Sequence, residues 1–279
     1  MATGYITTTN QANIIPEIWE KKIFDELYTR FIMREVFETI FIDAGHDTEH
    51  YPVVPKLAAE QITQGTPLVG KYVTPTNIDL VIDQNYGVPM TFAKRMLTQN
   101  MFTDSIKAIY QRRAGEALNY QLETTLLSFY SSMSQEIVGA NLTADNLLYG
   151  KQLLYQAGVP QDDVVTLICT PYQYRKLLQF ANISDASAFG NAAPVQKGKV
   201  EEYYGIKIKV SGNVSVNSAY YNNMLVHKEY AMVGIQQDVS FDVDDKIQPL
   251  LQAMNAVASI LYGSVEARDG FAVRMPTSN

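Results

Sequence analysis

Between Thr103 and Met133 apolar residues recur at helical spacing: Ile106, Ile109, Tyr110, Ala114, Ala117, Leu118, Leu122, Leu126 and Phe129. Lys107, Arg112, Glu116 and Glu123 decorate the remaining positions, and no proline interrupts. Thr103 is placed to cap the first turn, and Asp104 puts a negative charge where the helix dipole favours one. The pattern predicts one helix of roughly thirty residues, about 45 Å long at ~1.5 Å per residue. That is long against an ordinary mean of ~11–12 residues. Its apolar positions spread over more than one narrow stripe and no a/d seam is sustained, so a core helix fits better than a coiled coil. Gly115, in mid-helix, costs ~1 kcal/mol relative to alanine. Either it packs tightly against a strand or it marks a bend point.

Ahead of this helix the character of the chain changes twice. Residues 1–14 are polar and irregular. Pro16 and Glu17 then open a helix whose apolar face carries Ile15, Trp19, Ile23 and Leu27, with Phe24 and Tyr28 beside them. Nothing local is available to bury that face. Segment 31–42 predicts helix giving way to strand. From Ala44 to Pro89, Pro52, Pro55, Gly65, Pro67, Gly70, Pro75 and Gly87 punctuate the chain too densely for helix. Tyr51–Val54 and Asn77–Asp83 read as strands that bracket the stretch. They predict a long two-stranded excursion with an irregular tip. An isolated hairpin is marginal in water, so this one is expected to lie against another chain.

Beyond the long helix, Thr143 to Tyr155 predicts a second helix, stopped by Ala157-Gly158 with Pro160 beyond. Val164–Cys169 reads as a buried strand, and Thr170-Pro171 caps a helix over 171–180 with Tyr174, Leu177 and Leu178 inward. A loop of small residues follows at 182–198. Ile206, Ile208 and Val210 alternate with Lys207 and Lys209 as a half-exposed strand. Met224–His227, Ala231–Val233 and Val239–Val243 are further strand segments. Ala253–Arg268 reads as a long strand by its Val, Ile and Tyr content. The fold class is α+β, with no internal repeat and no linker separating independent domains.

Charge and composition narrow the chemistry. Lys and Arg number 22 against 29 Asp and Glu, a net charge of −7 without any basic patch, which disfavours tight binding to a phosphate backbone. The one cysteine, Cys169, sits in an apolar run and reads as a small core residue rather than a nucleophile. No apolar run approaches the ~20 residues needed to span a bilayer, so no membrane is expected among the partners. The sharpest motif is His46-Asp47-Thr48-Glu49-His50, which satisfies H-x-x-E-H. That zinc chemistry needs both histidines on one helix face, whereas Ala44-Gly45 before and Tyr51-Pro52 after predict turn and strand. His227 is the only further histidine. Asp242, Asp244 and Asp245 lack the spacing and glycine of a calcium loop and read as a solvated strand end. Glycine-rich phosphate loops and a nucleophile elbow are absent. No catalytic, cofactor-binding or metal residue is therefore expected.

Particular strings, taken in order, carry a resemblance. They are Ile15-Pro16-Glu17-Ile18-Trp19, then Gly45-His46-Asp47-Thr48-Glu49-His50-Tyr51-Pro52, then Gly158-Val159-Pro160 leading to Thr170-Pro171-Tyr172, and finally Gly205-Ile206-Lys207-Ile208. In this arrangement the chain resembles the major capsid proteins of tailed double-stranded DNA bacteriophages, which have the Hong Kong phage capsid fold. The resemblance implies an N-terminal arm at 1–43, an extended hairpin loop at 44–92, and a peripheral domain with the spine helix at 93–140. It implies further a compact α/β axial domain at 141–235 and a return to the peripheral domain at 236–279. The protein would be structural, assembling through pentamers and hexamers into an icosahedral head that encloses double-stranded DNA without sequence-specific binding. Its place would be the virion, with assembly in the host cytoplasm. Its partners would be copies of itself, a scaffolding protein, a portal protein and a decoration protein. Since only residues 1–14 precede the arm helix, the scaffolding protein is expected to be encoded separately. Some family members crosslink a loop lysine to a neighbour's asparagine. Lys56 and Lys71 lie in the hairpin, but lysine in a loop is commonplace and no crosslink is expected. The alternatives are an encapsulin-like compartment shell and, from another class, a metallohydrolase using His46, Glu49 and His50.

Overall fold

The computed structural model describes residues 31–62, 64, 70, 72–95, 103–139, 141–179, 200–214, 216–217, 220–244 and 252–278. The helix expected around Trp19, the loop at 182–198, Lys71 and Asp245 lie outside the described residues, as do the side chains of Thr103 and Asp104.

A single helical turn, α1 (Met33–Val36), gives way to strand β1 (Glu38–Phe41). Strands β2 (Thr48–Val53) and β3 (Thr76–Val81) pair antiparallel from Thr48 opposite Val81 to Val53 opposite Thr76. They are the expected two-stranded excursion. Strand β4 (Gln84–Ala93) follows at once. Helix α2 (Thr103–Ser128) ends in a 3-10 turn, Phe129–Ser131, short of the expected Met133. Three serine hydroxyls there turn back on the chain: Ser128 donates to the Thr125 carbonyl, Ser131 to that of Ser128 and Ser132 to that of Phe129. Such bonds offer the backbone an alternative to further helix.

Strand β5 (Gln135–Glu136) leads to α3 (Ala144–Ala157), whose ends are set locally. The Thr143 hydroxyl accepts the Asn146 N–H, and Gly158 closes the helix at φ +105°, a conformation that costs glycine little. Strand β6 (Val165–Cys169) is buried at every residue, and α4 (Pro171–Leu178) starts on the Thr170 hydroxyl, which accepts the Gln173 N–H. Then come β7 (Glu202–Tyr203), β8 (Ile206–Val210), β9 (Val216–Asn217) and β10 (Tyr220–His227). Three long strands complete the chain: β11 (Ala231–Val243), β12 (Ala253–Glu266) and β13 (Ala272–Ser278). The segments read separately at Ala231–Val233 and Val239–Val243 are one strand, its register shifted on either side of Gln237.

Two sheets carry the fold. One has seven strands in the order β5-β13-β10-β6-β8-β7, with β9 added on β10. The other runs β1-β11-β12-β4, with β1 parallel to β11 and the rest antiparallel. Helix α2 lies on the second sheet: the Thr125 hydroxyl meets the Tyr262 phenol at 2.9 Å, and Tyr110 packs edge-on to Phe92. Ala114, Leu118, Leu122 and Leu126 form its buried stripe. Apolar residues of α2 and of both sheets join in one cluster among the described residues.

The last two strands join different sheets: β12 lies in the four-stranded sheet, whereas β13 pairs with β10 from Val226 opposite Ala272 to Tyr220 opposite Ser278. Two expectations need correction. Glu123 does not decorate the surface; it is 2% exposed. Its carboxylate accepts the N–H groups of Ile32 and Met33 at 2.8 and 3.1 Å and the Ser211 hydroxyl at 3.2 Å, so its burial is compensated. Gly115 does face a strand, but not tightly, because a Cβ there would sit 3.7 Å from Val239 Cγ1.

Candidate functional site

A period of two sorts the hairpin into two faces. Glu49, Tyr51, Ile78 and Leu80 share one, and His50 and Asp79 share the other. Leu80 is fully buried against the body of the protein. Tyr51 borders the same face, where burial and then the Glu49 carboxylate push its phenol up to about 12. On the outward face His50 Nδ1 lies 2.6 Å from Asp79 Oδ1, a cross-strand pair open to solvent.

This geometry decides the H-x-x-E-H motif. His46 precedes β2 altogether, and His50 and Glu49 point to opposite faces of the strand. The three cannot converge on one ion. Among the described residues no three His, Cys, Asp or Glu side chains are grouped to hold a metal. His227 is buried elsewhere, with Nε2 3.4 Å from Asp163 and Nδ1 accepting the Glu229 N–H. Cys169 is buried as expected, and burial pushes its thiol up to about 12, far from a reactive thiolate. Asp242 and Asp244 are exposed at the end of β11.

Carboxylates with altered affinity for protons do occur near Tyr230. Burial holds Glu266 above the usual carboxylate range, while the Ser134 hydroxyl and N–H hold Asp269 below it. The Tyr230 phenol, pushed up to about 12 by burial, donates to the Phe129 carbonyl. These contacts join the end of α2 to the turn before β13. They are ties between elements, at the place where three segments of chain meet.

The described residues leave the far part of the excursion uncovered. Val54, Leu57, Ile62 and Tyr72 are all large and apolar, and they are 68%, 74%, 74% and 102% exposed. Phe41, on edge strand β1, is 69% exposed. Singly, exposed apolar residues mean little; grouped on one loop, they make a candidate contact surface. The sequence reading located the excursion from its proline and glycine content, but no pattern in it distinguished these four side chains from core residues. Lys56 is exposed on the same loop.

Comparison with known proteins yields a consistent picture. A family model described as phage capsid protein matches residues 106–274. No curated protein matches the sequence. Among solved structures, one from Mycobacterium phage Che8 is 16% identical, covers 94% of this chain and 97% of its own, and superposes with a TM-score of 0.78. The asymmetric unit of the bacteriophage PhiM1 mature capsid is 12% identical, with 100% and 97% covered and a TM-score of 0.78. The capsid of the native GTA particle, computed with C5 symmetry, is 9% identical, with both chains covered fully and a TM-score of 0.76. At such identities the shared property is the fold.

Proposed function

We propose, from the premise that this chain belongs to the phage capsid protein family, that its copies close into an icosahedral head through pentamers and hexamers. The protein is a structural major capsid protein, a component of the virion and not an enzyme. Self-assembly is supported by the similar chains that build the PhiM1 mature capsid and the C5-symmetric GTA capsid. Neither the encapsulin-like compartment nor the metallohydrolase is favoured by these matches.

One observation carries the assembly reading: the hairpin exposes Val54, Leu57, Ile62 and Tyr72 where the described residues offer nothing to cover them. A neighbouring subunit supplies the missing cover. The N-terminal arm, extended loop, peripheral and axial domains divide the chain near residues 43, 92, 140 and 235, with β13 assigned to the axial part. A net charge of −7 suits a wall that holds packaged DNA without gripping it. In this reading a scaffolding protein, a portal protein and a decoration protein are the further partners.

Negative-stain microscopy of the purified protein, alone and with the scaffolding protein encoded beside it, tests this. Closed shells, rings of five or six, or curved sheets are expected. A monodisperse monomer that stays monomeric with scaffold present overturns the reading.

A further inference from the structure

Gly234 on β11 and Gly263 on β12 are direct partners in the register of the four-stranded sheet. Residues opposite one another in an antiparallel pair share a face, so that face lacks two adjoining side chains. The root of the hairpin occupies the gap. A Cβ at Gly263 would land on the Val81 carbonyl oxygen and lie 3.0 Å from Ile82 Cα. A Cβ at Gly234 would come within 2.8 Å of Ile42 Cδ1, 2.9 Å of Leu80 Cδ2 and 3.0 Å of Ile82 Cδ1. At one glycine, therefore, backbone rests on backbone; at the other, three apolar side chains fill the space.

The opposite leg of the excursion is fixed from the same strand. Gln236, two residues beyond Gly234, donates its side-chain N–H to the carbonyls of Asp43 and His46, at 3.1 and 2.8 Å. The Ile42 N–H donates to the Ile235 carbonyl, and the Ile82 N–H to that of Asp47, which closes the base of the hairpin. Both legs are thus held before they diverge from the sheet, while residues 54–62 beyond them are exposed.

We infer that the Gly234–Gly263 notch is a socket that aims the hairpin, so that its direction is set inside each subunit before any neighbour touches it. The consequence for the shell rests on the assembly reading above. A hairpin already aimed loses less freedom when it docks, which favours the contact without adding to it. Adjustment between five- and six-fold surroundings then falls to the part of the loop beyond Val53.

Spin labels on Val54→Cys and Val257→Cys, in the full chain diluted into unlabelled protein, give the distance between loop and sheet. Native Cys169 is fully buried and stays silent. The expected result is one narrow distance distribution that broadens or shifts in Gly234→Ala and in Leu80→Ala, with shell yield falling severalfold in both. Gly263→Ala sets a methyl group against backbone and is the variant expected to lose the fold, so the two milder variants carry the test. A broad distribution in the unsubstituted chain, or an unchanged one in both variants, overturns the socket. Failure of the unsubstituted chain to form shells with scaffold present counts against the assembly reading instead, since the distance distribution is read without shells.

Discussion

Strand β6 and strand β2 are of similar length and stand for two ways of using a strand. In β6 every residue from Val165 to Cys169 is buried, flanked by β10 and β8 and continuous with the core. In β2 none is: Thr48, Glu49 and Tyr51 are partly covered, and His50, Pro52 and Val53 face solvent. The first spends its apolar surface within the subunit. The second, with the loop beyond it, leaves apolar surface exposed. A capsid subunit must do both, since its core has to hold the fold while part of its surface waits for other copies.

The sharpest way to break the contrast is to truncate each region and compare. Leu167→Ala in β6 removes a fully buried side chain, and a loss of about 2–5 kcal/mol is expected in denaturant unfolding. Glu123→Ala is next. It leaves the Ile32 and Met33 N–H groups and the Ser211 hydroxyl without their acceptor, a loss of about 1–3 kcal/mol by the same measurement. Gly115→Ala moves the other way, because the added methyl meets Val239 at ordinary contact distance. A gain approaching ~1 kcal/mol is expected in thermal melts. If those shells also assemble and expand normally, the bend-point idea for Gly115 is wrong.

Two smaller effects sharpen the comparison. Asp238 is held below the usual carboxylate range chiefly by its hydrogen bond from Arg34. A depressed carboxylate contributes stability above its unfolded pKa and loses it as pH falls through the folded value. Both partners are substantially exposed, so only a few tenths of a kcal/mol are expected to vanish on acidification, and less at high salt. Asp238→Asn, compared with the native chain across that range, should remove this increment. Tyr72→Ala on the loop should change subunit stability by less than ~0.5 kcal/mol. The same variant should lower shell yield clearly. Equal stability and equal yield would place the contact surface elsewhere.

Elements with local signals were legible in the sequence. Thr143 with Gly158 and Thr170 with Pro171 bracket α3 and start α4 where expected, because caps are made by residues adjacent in the chain. The excursion and the long strand β12 were legible from composition. What escaped depends on distant partners. No strand is read from the sequence beyond Arg268 or over residues 84–93, yet β13 runs through Pro276 beside β10, and β4 runs through Gly87 and Pro89 beside β12. Glu123 looked like surface charge because its donors lie about ninety residues away on either side. The glycines at 150, 234 and 263 carry no sign in the sequence of what presses on them. A Cβ at Gly150 would strike the Met275 Cε and come within 2.9 Å of Leu225, side chains that belong to β13 and β10. For the contact surface the same limit held: the loop was visible, but not which of its apolar residues stay uncovered.

The place of β13 has a consequence in time. It lies between β5 and β10, inside the seven-stranded sheet, although residues 272–278 are the last strand in the chain order. A ribosome must therefore release this stretch before the sheet can be completed around it. Chains stalled or cut before residue 272 lack the strand that β10 and β5 pair with, so the seven-stranded sheet stays open until the latest of its strands arrives.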